Sequence, residues 1–160
     1  MTLADLSQVL AVQAACYPPD LREGPVAFES RMAASPTTNL VAEGAGGVAA
    51  YLLSHPWRSG SPPPFDAALP PVDGPLDCWF IQDLAVSPDH RGATLAARLF
   101  EAGAAAAAKL SLSGSELVAV GGADRFWRRL GYRPVASEGR PLQGYGATAI
   151  PMARDLRSPK

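Results

Sequence analysis

The sequence predicts an α/β (α+β) domain, and three stretches carry that expectation. An apolar run, Leu84-Ala85-Val86, ends at Ser87-Pro88 and passes through the small-residue turn His90-Arg91-Gly92-Ala93-Thr94-Leu95-Ala96 into a long helical segment. A second apolar run, Leu117-Val118-Ala119-Val120, meets Gly121-Gly122 and then a short helix from Asp124 to Leu130. Upstream of both, apolar segments from Asn39 to Ala42 and Val48 to Ser54 flank the turn Glu43-Gly44-Ala45-Gly46-Gly47, the pattern of a hairpin. Strands followed by helices imply a sheet with helical cover.

Taken in order, Thr2 with Asp5 three positions on marks a helix start. Leu3, Leu6, Val9, Leu10 and Ala14 then supply an apolar stripe. Tyr17-Pro18-Pro19-Asp20 stops this helix, because proline disfavours helical geometry in the residue before it. A shorter helix covers Val26 to Ala34, with Phe28 and Met32 on one face. After the hairpin, Pro56 to Pro75 contains seven prolines and fits no regular element. A loop of that length within a domain is expected to be a functional lid or a disordered segment. Cys78 to Val86 is the central strand, apolar at Trp79, Phe80, Ile81, Leu84 and Val86 and interrupted by Gln82-Asp83. Gly92 to Leu110 forms the longest helix, its alanines from Ala104 to Ala108 favouring that state. Tyr132 to Ala136 and Ala147 to Leu156 form a last strand pair across a Gly/Pro-rich connection. The order is α-α-β-β-β-α-β-α-β-β, a single domain over residues 1–160.

The chain is long enough for one real core, and 48% apolar residues with a mean hydropathy of +0.03 suit a soluble globule. A net charge of −1 gives no reason to expect nucleic acid or an anionic membrane as partner. No apolar run approaches the roughly 18–20 residues of a membrane span, and no secretory signal opens the chain. Cys16 and Cys78 lie far apart without metal-like spacing, and two histidines, His55 and His90, are too few for a His-built centre. The expectation is a cytoplasmic protein with reduced thiols and no metal. A homodimer is left open.

The turn at 91–96 gathers free backbone N–H groups and the positive end of a helix dipole at one spot, beside the charge of Arg91. That suits a phosphate or pyrophosphate, although an ordinary strand-to-helix turn has the same pattern. The downstream string Arg125-Phe126-Trp127-Arg128-Arg129-Leu130-Gly131-Tyr132 resembles the Phe-(Tyr/Trp)-x-x-x-Gly-(Phe/Tyr) element of the GCN5-related N-acetyltransferases, the GNAT superfamily. Arg91-Gly92-Ala93-Thr94-Leu95-Ala96 occupies the place of that superfamily's acetyl-CoA signature. The early segments Cys16 to Asp20 and Phe28 to Pro36 are similar to those of small-amine, arylalkylamine-type members. The resemblance spans nearly the whole chain. It implies a mixed, largely antiparallel sheet with flanking helices and splayed central strands. The superfamily's first strand is missing here, either lost or lying upstream of Met1.

The resemblance also implies acetyl-CoA as acyl donor and an amine that attacks its thioester directly. The backbone of Arg91, Gly92, Ala93, Thr94, Leu95 and Ala96 would hold the pyrophosphate. Thr94 stands where glycine is common, and its Cβ narrows the approach while its hydroxyl offers a donor. Leu84, Ala85 and Val86 would pair with pantetheine and present an N–H to the thioester oxyanion. Gly121 stands where many relatives carry a cofactor-touching asparagine.

Histidines of arylalkylamine-type relatives fall at positions matching Phe80 and Gln82, so Asp83 is the nearest carboxylate to replace them. Strand alternation puts Gln82 and Asp83 on opposite faces unless a bulge intervenes. The alternative is a carboxylate bonded only to neighbouring loop N–H groups. Trp127 takes the place of the tyrosine that protonates the thiolate in many members, and an indole N–H is only a hydrogen-bond donor. It would pack on the cofactor or fill core. Tyr145, between Gly144 and Gly146, is the alternative acid, or else a surface turn aromatic. Tyr17, His55 and Trp57, with the proline-rich loop, are candidates for the acceptor pocket. Asp20, Glu23 and Asp66 could attract a cation but read as surface carboxylates.

The expected function is transfer of an acetyl group from acetyl-CoA to a small amine, an arylalkylamine or polyamine rather than a protein N-terminus. Two alternatives stay open: a CoA-binding relative with little or no catalysis, and a phosphate- or nucleotide-binding module.

Overall fold

The computed structural model describes residues 1–91, 94–136 and 142–156. The chain enters through a 3-10 turn, Leu3–Asp5, held by the Asp5 carboxylate accepting from the Thr2 N–H at 2.7 Å and continuing into α1 (Leu6–Cys16). A 3-10 turn at Pro19–Leu21 leads to α2 (Pro25–Ala34), whose proline takes a first-turn position where no N–H is needed. The strands are β1 (Leu40–Gly44), β2 (Gly47–Trp57), β3 (Cys78–Val86), β4 (Gly114–Ala119), β5 (Arg133–Pro134) and β6 (Ile150–Asp155). Between them lie α3 (Leu95–Ala108) and α4 (Asp124–Arg129). No strand precedes α1 among the described residues, and the predicted order of elements holds.

The six strands form one sheet in the order β1-β2-β3-β4-β6-β5. Every neighbouring pair is antiparallel except β3 and β4 at the centre. That parallel pairing runs only from Cys78↔Gly114 to Ile81↔Leu117, whereas β3 stays paired with β2 as far as Ala50↔Val86. Beyond Ile81, therefore, β3 leans on β2 alone and β4 departs with β6. The central strands splay as expected.

Alternation along β2 supplies two layers. Ala50 and Leu52 join Trp79, Ile81, Phe100, Leu117 and Met152 under α3. Tyr51 and Leu53 face the other way, against Val9 and Val12 of α1 and Phe28 and Met32 of α2. The register of β3 slips against β2 between Leu53↔Asp83 and Ser54↔Ile81, leaving Gln82 as an extra residue. This bulge resets the phase: Trp79 and Ile81, then Leu84 and Val86, face α3, while Asp83 turns to the side of Tyr51.

Several expectations need correction. The stripe of α1 is Leu6, Val9, Leu10, Val12 and Gln13 rather than one through Leu3 and Ala14, which are both exposed. Leu3 lies in a 3-10 turn, whose tighter winding shifts the phase of the helix after it. Helix α3 begins at Leu95, with Thr94 as its N-cap, not at Gly92, and ends at Ala108. Pro56 belongs to β2, opposite Trp79. β1 has already ended there, so a residue lacking an N–H interrupts no ladder on that side.

The rest of the proline-rich segment, 58–77, is neither a free lid nor a disordered one. Phe65, Leu69 and Val72 pack on Trp57, Phe80, Val118 and Tyr145. Arg31, fully buried, donates to the carbonyls of Pro64 at 2.8 Å and Ala67 at 2.9 Å. Leu69 N–H donates to Ser30 Oγ, and Gly24 N–H to Asp66 Oδ1. The segment is a cover fastened to α2 and to the α1–α2 loop.

Candidate functional site

Where β3 and β4 part, a cavity of about 420 Å³ opens between them. Its β3 wall is Ile81, Gln82, Asp83 and Leu84, and its β4 wall Leu117, Val118, Val120 and Gly121. Cys16 and Tyr17 close it from the end of α1, Ala96 from the first turn of α3, and Ala123, Phe126 and Trp127 from α4. A smaller extension of about 30 Å³ shares Tyr17, Leu21, Gln82, Asp83, Val118 and Val120 with it and adds Gln13, Glu23, Phe65 and Tyr145.

The bulge places Gln82 and Asp83 on the same cavity rather than on opposite faces. Asp83 is half-buried; its Oδ1 accepts from the Tyr17 hydroxyl at 2.7 Å, and its Oδ2 accepts from the Tyr51 hydroxyl. Burial pushes its carboxyl pKa up, against the two phenols, which hold it down. Both phenols are raised well above the ordinary tyrosine range by burial and by the Asp83 charge.

Glu23, expected at the surface, is 5% exposed. Its Oε1 accepts from Asp66 N–H at 2.9 Å and lies 3.2 Å from the guanidinium of Arg31, while its Oε2 accepts from Gln82 Nε2 at 2.8 Å. Burial raises its pKa, and Arg31 opposes that rise. Gln13 grips the backbone of the same residue, donating to its carbonyl at 2.9 Å and accepting from its N–H at 2.8 Å. Tyr145 is buried, not a surface turn aromatic. Its hydroxyl donates to Pro63 O at 2.9 Å and accepts from Gln82 Nε2 at 3.3 Å. It borders the extension only.

The other sequence candidates divide. Trp127 packs against Phe100 and Tyr132 in the core and also walls the cavity. Gly121 is at the cavity with φ +58, and a Cβ there would meet nothing within 4 Å, so backbone conformation rather than space is what favours glycine. Leu84 lines the cavity, Ala85 points into the α1 layer, and the Val86 carbonyl accepts from the Cys16 thiol at 3.2 Å. Arg91 and Thr94 are exposed, and Leu95 and Ala96 begin α3, whose first backbone bond runs from Arg98 N–H to Thr94 O. Gly92 and Ala93 lie outside the described residues.

His55 and Trp57 are not brought to either cavity. His55 is fully buried, stacked on Phe80 and edge-on to Trp57, and Trp57 donates to Ser61 O beneath the cover. Sequence reasoning passed over Tyr51, Cys16 and Phe126 as site residues and set Glu23 aside as a surface carboxylate. For Phe126 the signal was present, since it adjoins Trp127 in the same motif. For the others it lay in tertiary contacts.

No helix among the described residues is long and apolar enough to cross a membrane. The chain's fold is similar to that of Ard1 from Thermoplasma volcanium, with a TM-score of 0.72 and 14% identity over 97% of this chain and 93% of that one. It is similar to N-acetylglutamate synthase from Neisseria gonorrhoeae, solved with coenzyme A and N-acetyl-glutamate, at a TM-score of 0.73 and 14% identity. That match covers 98% of this chain and 34% of the synthase. The GNAT-like decarboxylase GphF in complex with isobutyryl-CoA aligns at a TM-score of 0.71 and 18% identity, over 98% and 97% of the two chains. No curated protein matches in sequence. The acetyltransferase (GNAT) family matches residues 6–132, most of the chain and both sides of the cavity, and the protein belongs to that family.

Proposed function

We propose that this protein transfers the acetyl group of acetyl-CoA to the primary amine of a small molecule. The observation that carries the reading is the parting of β3 from β4 after Ile81, with the Asp83 carboxylate turned into the gap by a bulge. A strand edge without a partner can pair with an extended amide chain, and pantetheine is one. The cavity's volume falls in the range of ligand pockets, and structural neighbours are solved with coenzyme A or isobutyryl-CoA.

In this reading the segment of residues 91–96, which leads into α3, holds the pyrophosphate. Leu84 to Val86 and Gly121 flank the pantetheine arm, and Trp127 walls it. The thioester then lies toward Gln82 and Asp83. A carboxylate whose pKa burial raises is a stronger base, suited to take a proton from the attacking amine. Gln82, held by Glu23, orients the polar end of the pocket.

The acceptor is small because the cover closes that end, fastened by Arg31, Ser30 and Asp66. An arylalkylamine fits better than a polyamine. Glu23 is already paired with Arg31, so Asp83 is the one carboxylate at the cavity whose described partners are all neutral, and the remaining walls are largely apolar. Calorimetry with acetyl-CoA, then a panel of amines with a free-thiol readout, tests the reading. Binding with thiol release on adding an arylalkylamine supports it. Binding without release to any amine favours a CoA-holding protein, and equal competition by simple nucleotide phosphates favours a phosphate module.

A further inference from the structure

We infer that Tyr17 is the group that protonates the departing coenzyme A thiolate, working as one relay with Asp83. The inference rests on the acetyl-transfer reading above. Trp127 stands in the cavity wall with an indole whose N–H is a hydrogen-bond donor but not an acid. Two phenols reach the polar end of the site. Tyr145 borders only the small extension, and its proton is spent on the carbonyl of Pro63. Tyr17 borders both the main cavity and the extension. Its proton lies on Asp83 Oδ1, at 2.7 Å.

The shared hydrogen bond makes the two groups interdependent. A neutral amine, having lost its extra proton to water, attacks the thioester carbon and the C–S bond breaks. The amine's remaining surplus proton passes to the Asp83 carboxylate, and the Tyr17 hydroxyl gives its proton to the thiolate sulfur. Tyr17 phenolate recovers a proton from Asp83 along their hydrogen bond. The products are the amide and coenzyme A, and both residues return to their starting state. The charge of Asp83 is one of the causes that hold the Tyr17 proton in place. Neutralising Asp83 with the amine's proton loosens it at the moment the thiolate needs it.

Tyr51 provides the control. It donates to the other oxygen of the same carboxylate but is fully buried and borders neither cavity. The experiment compares wild type, Tyr17→Phe and Tyr51→Phe with two acyl donors, acetyl-CoA and S-(4-nitrophenyl) thioacetate, whose thiolate leaves without a proton. Melting temperature and acetyl-CoA affinity by calorimetry are measured alongside. Tyr17→Phe should keep acetyl-CoA affinity, lose about 100-fold in kcat with acetyl-CoA, and stay within about threefold of wild type with the aryl thioester. Whatever loss Tyr51→Phe shows should be the same for both donors. Unchanged turnover of Tyr17→Phe, or an equal loss with both donors, overturns the relay. A Tyr17→Phe protein that fails to fold leaves the decision to Tyr51→Phe and wild type: a loss in Tyr51→Phe confined to acetyl-CoA would overturn it. A wild type that binds acetyl-CoA but acetylates no amine refutes the transferase reading itself, and with it the relay.

Discussion

His55 should make the protein sensitive to acid in a way that one substitution removes. Its ring is fully buried between Phe80, stacked at 5.9 Å, and Trp57, edge-on at 5.5 Å. Nδ1 lies 3.1 Å from Pro56 O, and Nε2 has no partner. Burial, aided by the charge of Arg31 and opposed by the Pro56 carbonyl, lowers its pKa from 6.5 to about 4. Above pH 6.5 the imidazole is neutral in both folded and unfolded chains and contributes no pH dependence. As pH falls from 6.5 towards 4, the unfolded chain takes up a proton that the folded one refuses, so stability declines. Below about 4 the folded ring is protonated too, and the loss levels off. At about 1.4 kcal/mol per tenfold change in the proton equilibrium, the full effect is about 3 kcal/mol. The carboxyls of Glu23 and Asp83, both raised by desolvation, act oppositely, because raised pKa values favour the folded state as pH falls. The informative quantity is therefore the difference between wild type and His55→Phe, a ring that keeps both aromatic contacts and removes the unpartnered nitrogen. Urea denaturation between about pH 7.5 and about pH 4.5 should show the variant gaining about 2 to 3 kcal/mol on wild type. A difference that stays constant across that range would refute a buried neutral imidazole.

Two further outcomes are expected. Glu23→Gln leaves the Arg31 charge buried with only carbonyl partners and should cost about 3 kcal/mol in denaturant unfolding, most of it recovered in the double variant with Arg31→Met. Gly103→Ala would gain about 1 kcal/mol in helix preference, but its Cβ would collide with Leu52 Cδ2 and sit 2.9 Å from the Trp79 ring. Overpacking should prevail by about 1 to 2 kcal/mol, and a higher melting temperature would show that α3 can lift from the sheet.

Local pattern was enough for most of the fold. Cys78–Val86 emerges with the bounds its apolar residues and flanking prolines predict, and Gly121-Gly122 and Gly131 mark α4 because their backbone φ is positive. What escaped depended on neighbours distant in sequence. Whether Asp83 faces the cavity is set by the register of β2, thirty residues earlier, and no count along β3 alone can reveal it. Gly144-Tyr145-Gly146 is indeed a turn, yet Phe65 of the cover, 5.2 Å from the Tyr145 ring, makes it interior. Glu23 reads as solvated in Arg22-Glu23-Gly24-Pro25 because the cation that holds it inside belongs to the next helix.

The extra residue in β3 has a consequence for how such a pocket can change over time. The placement of Asp83 is set by its pairing opposite Leu53, and Gln82 is the residue that this register leaves over. A point substitution there edits the chemistry of the wall but leaves the acid where it stands. Deleting the Gln82 codon would restore regular alternation with Ile81 still opposite Ser54 and Asp83 still opposite Leu53, so the acid would keep its face and the wall would lose only the glutamine and its bond to Glu23. The acid is therefore anchored by the strand beside it, and the extra position can vary in identity or be lost without moving it.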